Sequence, residues 1–128
     1  MSDDEPQGDL TIRTVAAPAD TNSSGDIFGG WVLSQMDSAA GIAAAQRTQS
    51  RVATVGIEAM SFLKPVKVGD ILCVYTRIIR VGRTSLAIGL EAWVLRHRST
   101  KRVKVTDGVF TFVALGDDGA PKPVPPQR

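Results

Sequence analysis

The sequence predicts a single α+β domain in which one long helix packs against an antiparallel sheet of about five strands. One alanine-rich segment has helical periodicity, five segments have the alternating or β-branched pattern of strands, and short turns join the last four of these. Short connections favour antiparallel neighbours, so the helix is expected to cover one face of the sheet. The length of 128 residues suits one domain with a buried core.

The elements follow one another in the order strand, helix and four strands. Residues 10–17 alternate between apolar and polar side chains and end at Pro18, which predicts the first strand. A loop rich in Asp, Asn, Ser and Gly leads into a helix that runs from Gly29 or Gly30 to about Arg47. The remaining strands are predicted over residues 51–62, 71–81, 84–96 and 102–115.

The expected domain covers residues 10–117 and lies between two tails. Residues 1–9 are acidic and polar, which predicts a loose tail and argues against a secretory signal. Residues 118–128 are expected to form a Pro-rich tail, because closely spaced prolines cannot continue a sheet. A single sheet with one helix leaves its strand edges open, so pairing with a second copy of the chain is expected.

Composition argues against several functional classes. A net charge of +2 and an aromatic content of 5% give little reason to expect nucleic-acid binding. No apolar run approaches the ~20 residues of a membrane span, so no membrane contact is expected. One histidine and one cysteine offer no clustered ligand set, so no metal is expected. The single Cys73 lies in an apolar run, which predicts a buried thiol and a cytoplasmic protein.

The segment 22–37 is the most informative part of the chain. Gly29 and Gly30 allow another backbone or a ligand to approach a helix start, where backbone N–H groups without partners attract negative oxygen. Asp37 follows Leu33 by four residues, which places its carboxylate within the apolar stripe of the helix. A carboxylate there needs either a structural partner or a chemical role, and the pattern leaves both open.

Other charged residues have simpler interpretations. Asp26, just before the helix, is expected to cap or neutralise its first turn. A basic cluster near the last turn is explained by a solvated hairpin tip at least as well as by phosphate binding. Its members are Arg96, His97, Arg98, Lys101, Arg102 and Lys104.

Several spaced motifs resemble those of the YciA-type acyl-CoA thioesterases of the hotdog fold, in the same order and over about residues 10–120. The motifs are Pro18-Ala19-Asp20-Thr21-Asn22, Gly25-Asp26-Ile27-Phe28-Gly29-Gly30-Trp31, Ser34-Gln35-Met36-Asp37, Phe62-Leu63-Lys64-Pro65-Val66, Val68-Gly69-Asp70, Val81-Gly82-Arg83-Thr84-Ser85 and Glu91-Ala92-Trp93-Val94. The predicted order of elements agrees with a hotdog domain.

The resemblance implies an enzyme that hydrolyses an acyl-CoA to a free acid and coenzyme A. It implies an active site at a homodimer interface, commonly within a homohexamer built as a trimer of dimers. The helix acid of the family matches Asp37, its loop asparagine matches Asn22, and its oxyanion-binding amide matches the Gly29–Gly30 region. No separate cofactor is expected, since coenzyme A is part of the substrate and product.

The residues leave the mechanism open. Asp37 can activate a water as general base or attack the thioester carbonyl to form a mixed anhydride. Asn22 can orient that water, donate to the carbonyl oxygen, or simply cap its own turn. Gly29 and Asp37 are eight residues apart, or roughly 12 Å along a helix, which is too far for both to contact one thioester carbon. One chain is therefore expected to supply the helix start and its partner the acid.

Coenzyme A also needs partners for its phosphates. Lys64 is one candidate, and Arg83 is a second because it lies with Thr84 and Ser85 in a turn that resembles the family's. These four residues are the expected substrate-binding set.

Two other functions remain possible on the sequence. A hotdog hydratase or dehydratase generally uses a histidine with an acid, but His97 is far in sequence from Asp37. A non-catalytic acyl-CoA-binding sensor keeps the pocket and needs no base. Asp37 on the apolar stripe favours the enzyme.

Overall fold

The protein was analysed as a computed structural model that describes residues 5–96 and 98–127. Within these residues a strand, a short 3-10 turn, a long helix and four strands follow one another, which confirms the predicted order. Their bounds are β1 Asp9–Val15, the 3-10 turn Pro18–Asp20, α1 Gly29–Thr48, β2 Arg51–Phe62, β3 Ile71–Val81, β4 Ser85–Leu95 and β5 Arg102–Leu115. His97, expected in the basic hairpin, lies outside the described residues.

The strands form one antiparallel sheet in the order β1-β3-β4-β5-β2. Helix α1 packs on one face of this sheet, as predicted, and the core between them is made of fully buried apolar side chains. The largest of these are Phe110 and Phe112 on β5, Met36 on the helix and Leu72 on β3. Alanines at positions 39, 40 and 44 are also fully buried, so small side chains let the helix approach the sheet closely.

Both edges of the sheet are strands with exposed apolar side chains. Among the described strands, β2 pairs with β5 alone, and Val55 and Ile57 on it are 59% and 46% exposed. Strand β1 forms the other edge, where Val15 is 59% exposed. Unpaired strand edges that carry apolar side chains are surfaces where a second chain can add.

Helix α1 is uncapped at its start and closed at its end. The N-cap is Phe28, whose side chain makes no capping hydrogen bond. The prediction that Asp26 caps or neutralises the first turn was wrong, because this carboxylate forms an ion pair with Lys67 and the first turn holds no acid. At the C-terminal end, Gln49 adopts a left-handed conformation, and its N–H donates to Ala45 O at 2.8 Å.

The Pro-rich segment after β5 runs back along the sheet. The N–H groups of Lys122 and Val124 donate to Ala114 O and Arg83 O at 2.9 and 2.8 Å. Prolines alternate with these two donors over residues 121–125, so the missing N–H groups of the prolines interrupt no hydrogen bond here. The segment thus joins the last strand to the turn between β3 and β4.

The prediction of a buried thiol is confirmed, since Cys73 is 3% exposed. Its neighbours Leu72 and Val74 belong to the core under α1, so Cys73 lies on the opposite face of β3. Burial raises the pKa of the Cys73 thiol, while the positive charges of Arg13 and Arg102 oppose this shift. The residue is therefore held as an unreactive thiol at neutral pH.

Candidate active site

A cleft of about 340 Å³ lies where the loop before α1 meets the end of β2. It brings together three of the predicted site residues, with Asn22 and Gly29 from one segment of the chain and Lys64 from a distant one. The other lining residues are Asp26, Ile27, Val32, Phe62, Leu63, Pro65 and Val66. The cleft therefore combines an apolar wall with the polar start of a helix.

The helix start has two open backbone donors, and one of them, Gly29, lines this cleft. The N–H groups of Trp31 and Val32 donate to Phe28 O at 3.1 and 3.4 Å. The amides of Gly29 and Gly30 donate no hydrogen bond within the described part of the chain. Donors of this kind, at the positive end of the helix dipole, stabilise a negative oxygen.

The two glycines differ in what surrounds them. A Cβ built on Gly29 would lie 3.4 Å from the Phe62 ring, in ordinary contact at the base of the cleft. A Cβ on Gly30 would meet no atom of this chain within 4 Å. The packing of a single chain therefore does not require glycine at position 30, which leaves this side of the helix start open to a ligand or a second chain.

Asn22 organises the loop and keeps one donor available. Its side-chain oxygen accepts hydrogen bonds from Ser24 N at 2.9 Å and Asp26 N at 3.2 Å, so the turn-capping role weighed from the sequence is present. Because both partners are N–H donors, the acceptor must be Oδ1. Among residues 5–96 and 98–127, its Nδ2 has no hydrogen-bond partner and remains able to donate in the cleft.

Asp37 lies on α1 but outside the cleft. Its Oδ1 accepts a hydrogen bond of 2.7 Å from the hydroxyl of Thr54 on β2, and it forms no ion pair with any described residue. The prediction that Asp37 lies within the buried stripe of the helix was wrong in detail. The buried face is centred on Met36 and Ala40, and Asp37 is only partly buried at its border, facing the edge strand.

Thr54, the hydrogen-bond partner of Asp37, was not predicted from the sequence. It pairs across the sheet with Phe112, a core residue under α1, so it occupies a helix-facing position of β2. The one sequence signal for Thr54 was its polar side chain at a position of the strand that faces the helix. Which residue of α1 lies beside Thr54 depends on how the helix crosses the sheet, and the sequence pattern does not record this crossing.

Arg83, Thr84 and Ser85 lie at the opposite end of the sheet from the cleft. Helix α1 begins beside Phe62, the last residue of β2, and ends just before Arg51, the first. Arg51 pairs with Leu115, so the turn between β3 and β4 is at the end where α1 finishes. A 20-residue helix spans roughly 30 Å, so the expected substrate-binding set is divided between two ends of one chain.

The turn that holds Arg83 is tied by backbone hydrogen bonds. Gly82 N donates to Ser85 O at 2.7 Å, and Ala114 N donates to Thr84 O at 2.8 Å. The carbonyl oxygens of Thr84 and Ser85 thus accept hydrogen bonds from backbone N–H groups of β5 and of the turn. The Arg83 side chain is exposed and has no hydrogen-bond or ion-pair partner among the described residues.

The basic cluster does not act as one patch. Arg96 forms an ion pair with the buried carboxylate of Asp70 and donates to Pro65 O at 3.1 Å. Lys67 N donates to the same carboxylate at 2.8 Å, so Arg96 and Asp70 together fix the loop that forms one wall of the cleft. Lys104 forms an ion pair with Asp107. Arg96 is therefore a support of the cleft wall.

Known thioesterases resemble this chain in sequence. The sequence profile of the thioesterase superfamily matches residues 24–101. The acyl-CoA thioester hydrolase YciA of Salmonella typhimurium is 48% identical over 128 residues, covering 98% of this chain and 96% of the relative. None of the described helices is long and apolar enough to cross a membrane.

Two solved structures have the same fold. The hexameric thioesterase of Yersinia pestis superposes with a TM-score of 0.92 at 48% identity, covering 96% of this chain and 100% of the other. A hexameric hotdog-fold thioesterase of Campylobacter jejuni gives 0.86 at 37% identity, with 92% and 91% covered. One long helix on an antiparallel sheet, with an open helix start at a cleft, thus defines a hotdog-fold thioesterase.

The chain belongs to the YciA family of acyl-CoA thioester hydrolases. The predicted α+β hotdog fold and the predicted class of enzyme are both confirmed.

Proposed function

We propose that this chain hydrolyses acyl-CoA thioesters to a carboxylic acid and coenzyme A at a site that two copies of the chain share. Asp37 of one protomer acts at the thioester carbon, and the start of α1 in its partner binds the thioester oxygen. The observation that carries the proposal is the separation of these groups. The open amide of Gly29 belongs to the cleft and that of Gly30 follows it along the helix start, whereas Asp37, on the same helix, faces β2.

Helix geometry argues against a site within one chain. Gly29 and Asp37 both lie on the continuous helix α1, eight residues and therefore roughly 12 Å apart along its axis. A thioester carbon must lie within about 3.5 Å of the attacking atom while its oxygen receives the hydrogen bonds. A second helix must then supply one of the two groups.

The β2 edge offers a way to bring the second helix. Thr54, beside Asp37, and Phe62, beside Gly29, are eight positions apart on this strand. Antiparallel two-fold pairing of β2 with another β2, centred near Glu58, would set Thr54 of one protomer opposite the partner's Phe62. The acid of each chain then faces the open helix start of the other.

The roles of the side chains follow from these positions. The amides at the helix start stabilise the negative charge that develops on the thioester oxygen. Asp37 acts as general base on a water, which is favoured over covalent attack because it needs no mixed anhydride. The Nδ2 group of Asn22 donates to the thioester oxygen or to that water. These steps require no metal or separate cofactor.

The cations divide the recognition of coenzyme A between two chains. Lys64, in the cleft, and Arg83, at the far end of the sheet, are too distant to serve one site within a single protomer. Antiparallel pairing reverses the ends, so that the Arg83 end of one protomer approaches the Lys64 end of its partner. A guanidinium and an ammonium then meet the phosphates of one substrate.

We infer that the dimer is the catalytic unit and that three dimers form a homohexamer, as the Yersinia pestis and Campylobacter jejuni thioesterases are hexameric. The lone, buried Cys73 supports a cytoplasmic location, because reducing compartments preserve free thiols.

Thiol release from acyl-CoA tests the proposed function. We expect wild-type protein to release free coenzyme A from a series of acyl-CoAs of increasing chain length. Asp37→Asn and Asp37→Ala should lower kcat by about 10²- to 10⁴-fold, the usual contribution of a general base. Asp117→Asn, an exposed acid in the last turn, is the matched control and should retain full activity.

Size-exclusion chromatography should give the same assembly for all four proteins. If the wild type bound acyl-CoA without turnover, the result would indicate a sensor and contradict the proposed enzymatic function. Full activity in either Asp37 variant would remove this carboxylate from the chemistry.

A further inference from the structure

The Pro-rich segment of residues 121–126, here called the strap, links the turn between β3 and β4 to the last turn of α1 through hydrogen bonds. At one side Val124 N donates a 2.8 Å hydrogen bond to Arg83 O. At the other side Arg47, in the last turn of α1, donates from Nη1 to Pro125 O at 2.6 Å. Lys122 N secures the start of the strap on Ala114 O at 2.9 Å.

The composition of the strap suits a fixed tie. Each proline holds φ near −65°, so less chain entropy is lost when the strap takes one path. Lys122 and Val124 supply the N–H donors between the prolines, and both are used. Partial burial of Lys122, Val124 and Pro125 is consistent with a segment that packs on the domain.

The strap holds the backbone of Arg83, a cation proposed to contact the substrate. The Arg83 side chain has no partner among the described residues, so its position depends on the backbone from which it projects. Backbone hydrogen bonds close the turn around Arg83, and the N–H group of Val124 donates to the carbonyl oxygen of Arg83. A guanidinium binds phosphate best when its planar fork is held in one orientation.

We propose that the strap is a positioning element for substrate recognition: it holds the Arg83 turn so that the guanidinium meets a phosphate of the coenzyme A moiety. This inference rests on the proposed function. The strap donates a hydrogen bond to Arg83 O in the turn and is anchored on α1 by Arg47, so it is expected to act on binding of the phosphate-bearing end and not on the thioester chemistry.

A single substitution in the full chain isolates this contact. Val124→Pro removes the N–H that donates to Arg83 O in a segment that is already rich in proline. Val124→Ala keeps the N–H and is the matched control. The substrates are an acyl-CoA and the acyl-pantetheine thioester of the same chain length, which lacks every phosphate.

For Val124→Pro we expect KM for acyl-CoA to rise about fivefold with kcat within about twofold of wild type, since a phosphate contact is misplaced and not removed. Hydrolysis of acyl-pantetheine should be unchanged, and Val124→Ala should behave as wild type. Arg47→Met, which releases the strap from α1, should raise KM for acyl-CoA in the same direction. It provides a second test if Val124→Pro alters folding.

A double-mutant cycle completes the test. Because the strap acts through Arg83, adding Val124→Pro to Arg83→Met should raise KM no further than Arg83→Met alone. An unchanged KM in both Val124→Pro and Arg47→Met, equal losses on both substrates, or additive effects would overturn the inference. Acyl-pantetheine turnover separates the failures: if it persists, only the role of the strap has failed, and if the wild type hydrolyses neither thioester, the proposed function has failed.

Discussion

The hydroxyl of Thr54 on β2 donates a 2.7 Å hydrogen bond to Oδ1 of Asp37 on α1. This contact fixes one carboxylate oxygen toward the edge strand, and in the proposed mechanism the second oxygen acts on a water or a carbonyl. Because the bond crosses from the helix to the sheet, it also sets the rotamer of the carboxylate relative to the β2 edge. Thr54 is therefore expected to position Asp37.

Removal of this hydroxyl should affect turnover more than substrate affinity. We expect Thr54→Val to lower kcat about tenfold with little change in KM, because a misoriented base loses transition-state contact and not ground-state binding. Thr54→Ser keeps the donor and should recover most of the activity. Steady-state kinetics on one acyl-CoA gives the result, and a KM effect of equal size in both variants would contradict a positioning role.

Substitution of Gly30 should separate stability from activity. The added methyl of Gly30→Ala meets no atom of its own chain within 4 Å, and alanine favours a helix over glycine by up to about 1 kcal/mol. The melting temperature is therefore expected to stay constant or rise, while kcat falls at least about tenfold because the methyl obstructs approach to the oxyanion-binding amides.

Gly41→Ala is the control for the gain in helix propensity. Its methyl would lie 3.9 Å from Phe112, in ordinary contact, and activity should be retained. Thermal unfolding and thiol release measure the two effects. Full turnover in Gly30→Ala would show that nothing approaches this side of the helix start during catalysis.

A charge on the β2 edge should dissociate the catalytic unit. Ile57 is 46% exposed on this edge, and Ile57→Lys places an ammonium where a second strand is proposed to pair. We expect smaller particles in analytical ultracentrifugation and loss of most turnover. Val15→Lys adds the same charge on β1, the other edge, and should leave the dimer and its activity in place. Monomers of Ile57→Lys with normal kcat would refute a shared site.

The buried thiol predicts a pH dependence of stability. Since burial raises the pKa of Cys73 in the folded protein, the folded state holds this proton more tightly than the unfolded chain. The resulting stability is fully present below the ordinary thiol pKa and is lost as pH rises through the raised value. Urea unfolding at increasing alkaline pH should show a decline that is smaller in Cys73→Ala, and equal slopes in both proteins would contradict the shift.

The fold was predictable because its signals are local. The alanine-rich helix, the alternating strands and the short turns each depend on a few neighbouring residues, and their bounds agree with the structure to within one or two positions. The candidate site was only partly predictable. Asn22, Gly29 and Lys64 line one cleft, while the roles that the spaced motifs assign to them stay predictions.

What the sequence missed depends on tertiary structure. Asp26 carries the residue type of a helix cap, but an ion pair with Lys67, 41 residues away, takes its charge. Asp37 lies at the border of the buried stripe because the sheet, and not helical periodicity, determines which side of α1 is covered. Thr54 and the strap depend on how distant elements cross, which no local pattern records.

Complementation between two inactive chains tests the shared site most directly. Asp37→Asn keeps an intact helix start and Gly30→Val keeps an intact acid, so a mixed dimer contains one complete site. Random pairing of equal amounts makes about half of the dimers mixed, which should restore about one quarter of wild-type activity after co-refolding. Activity in the refolded mixture no higher than the mean of the two variants measured separately would contradict the claim that one protomer supplies the acid and its partner the oxyanion site.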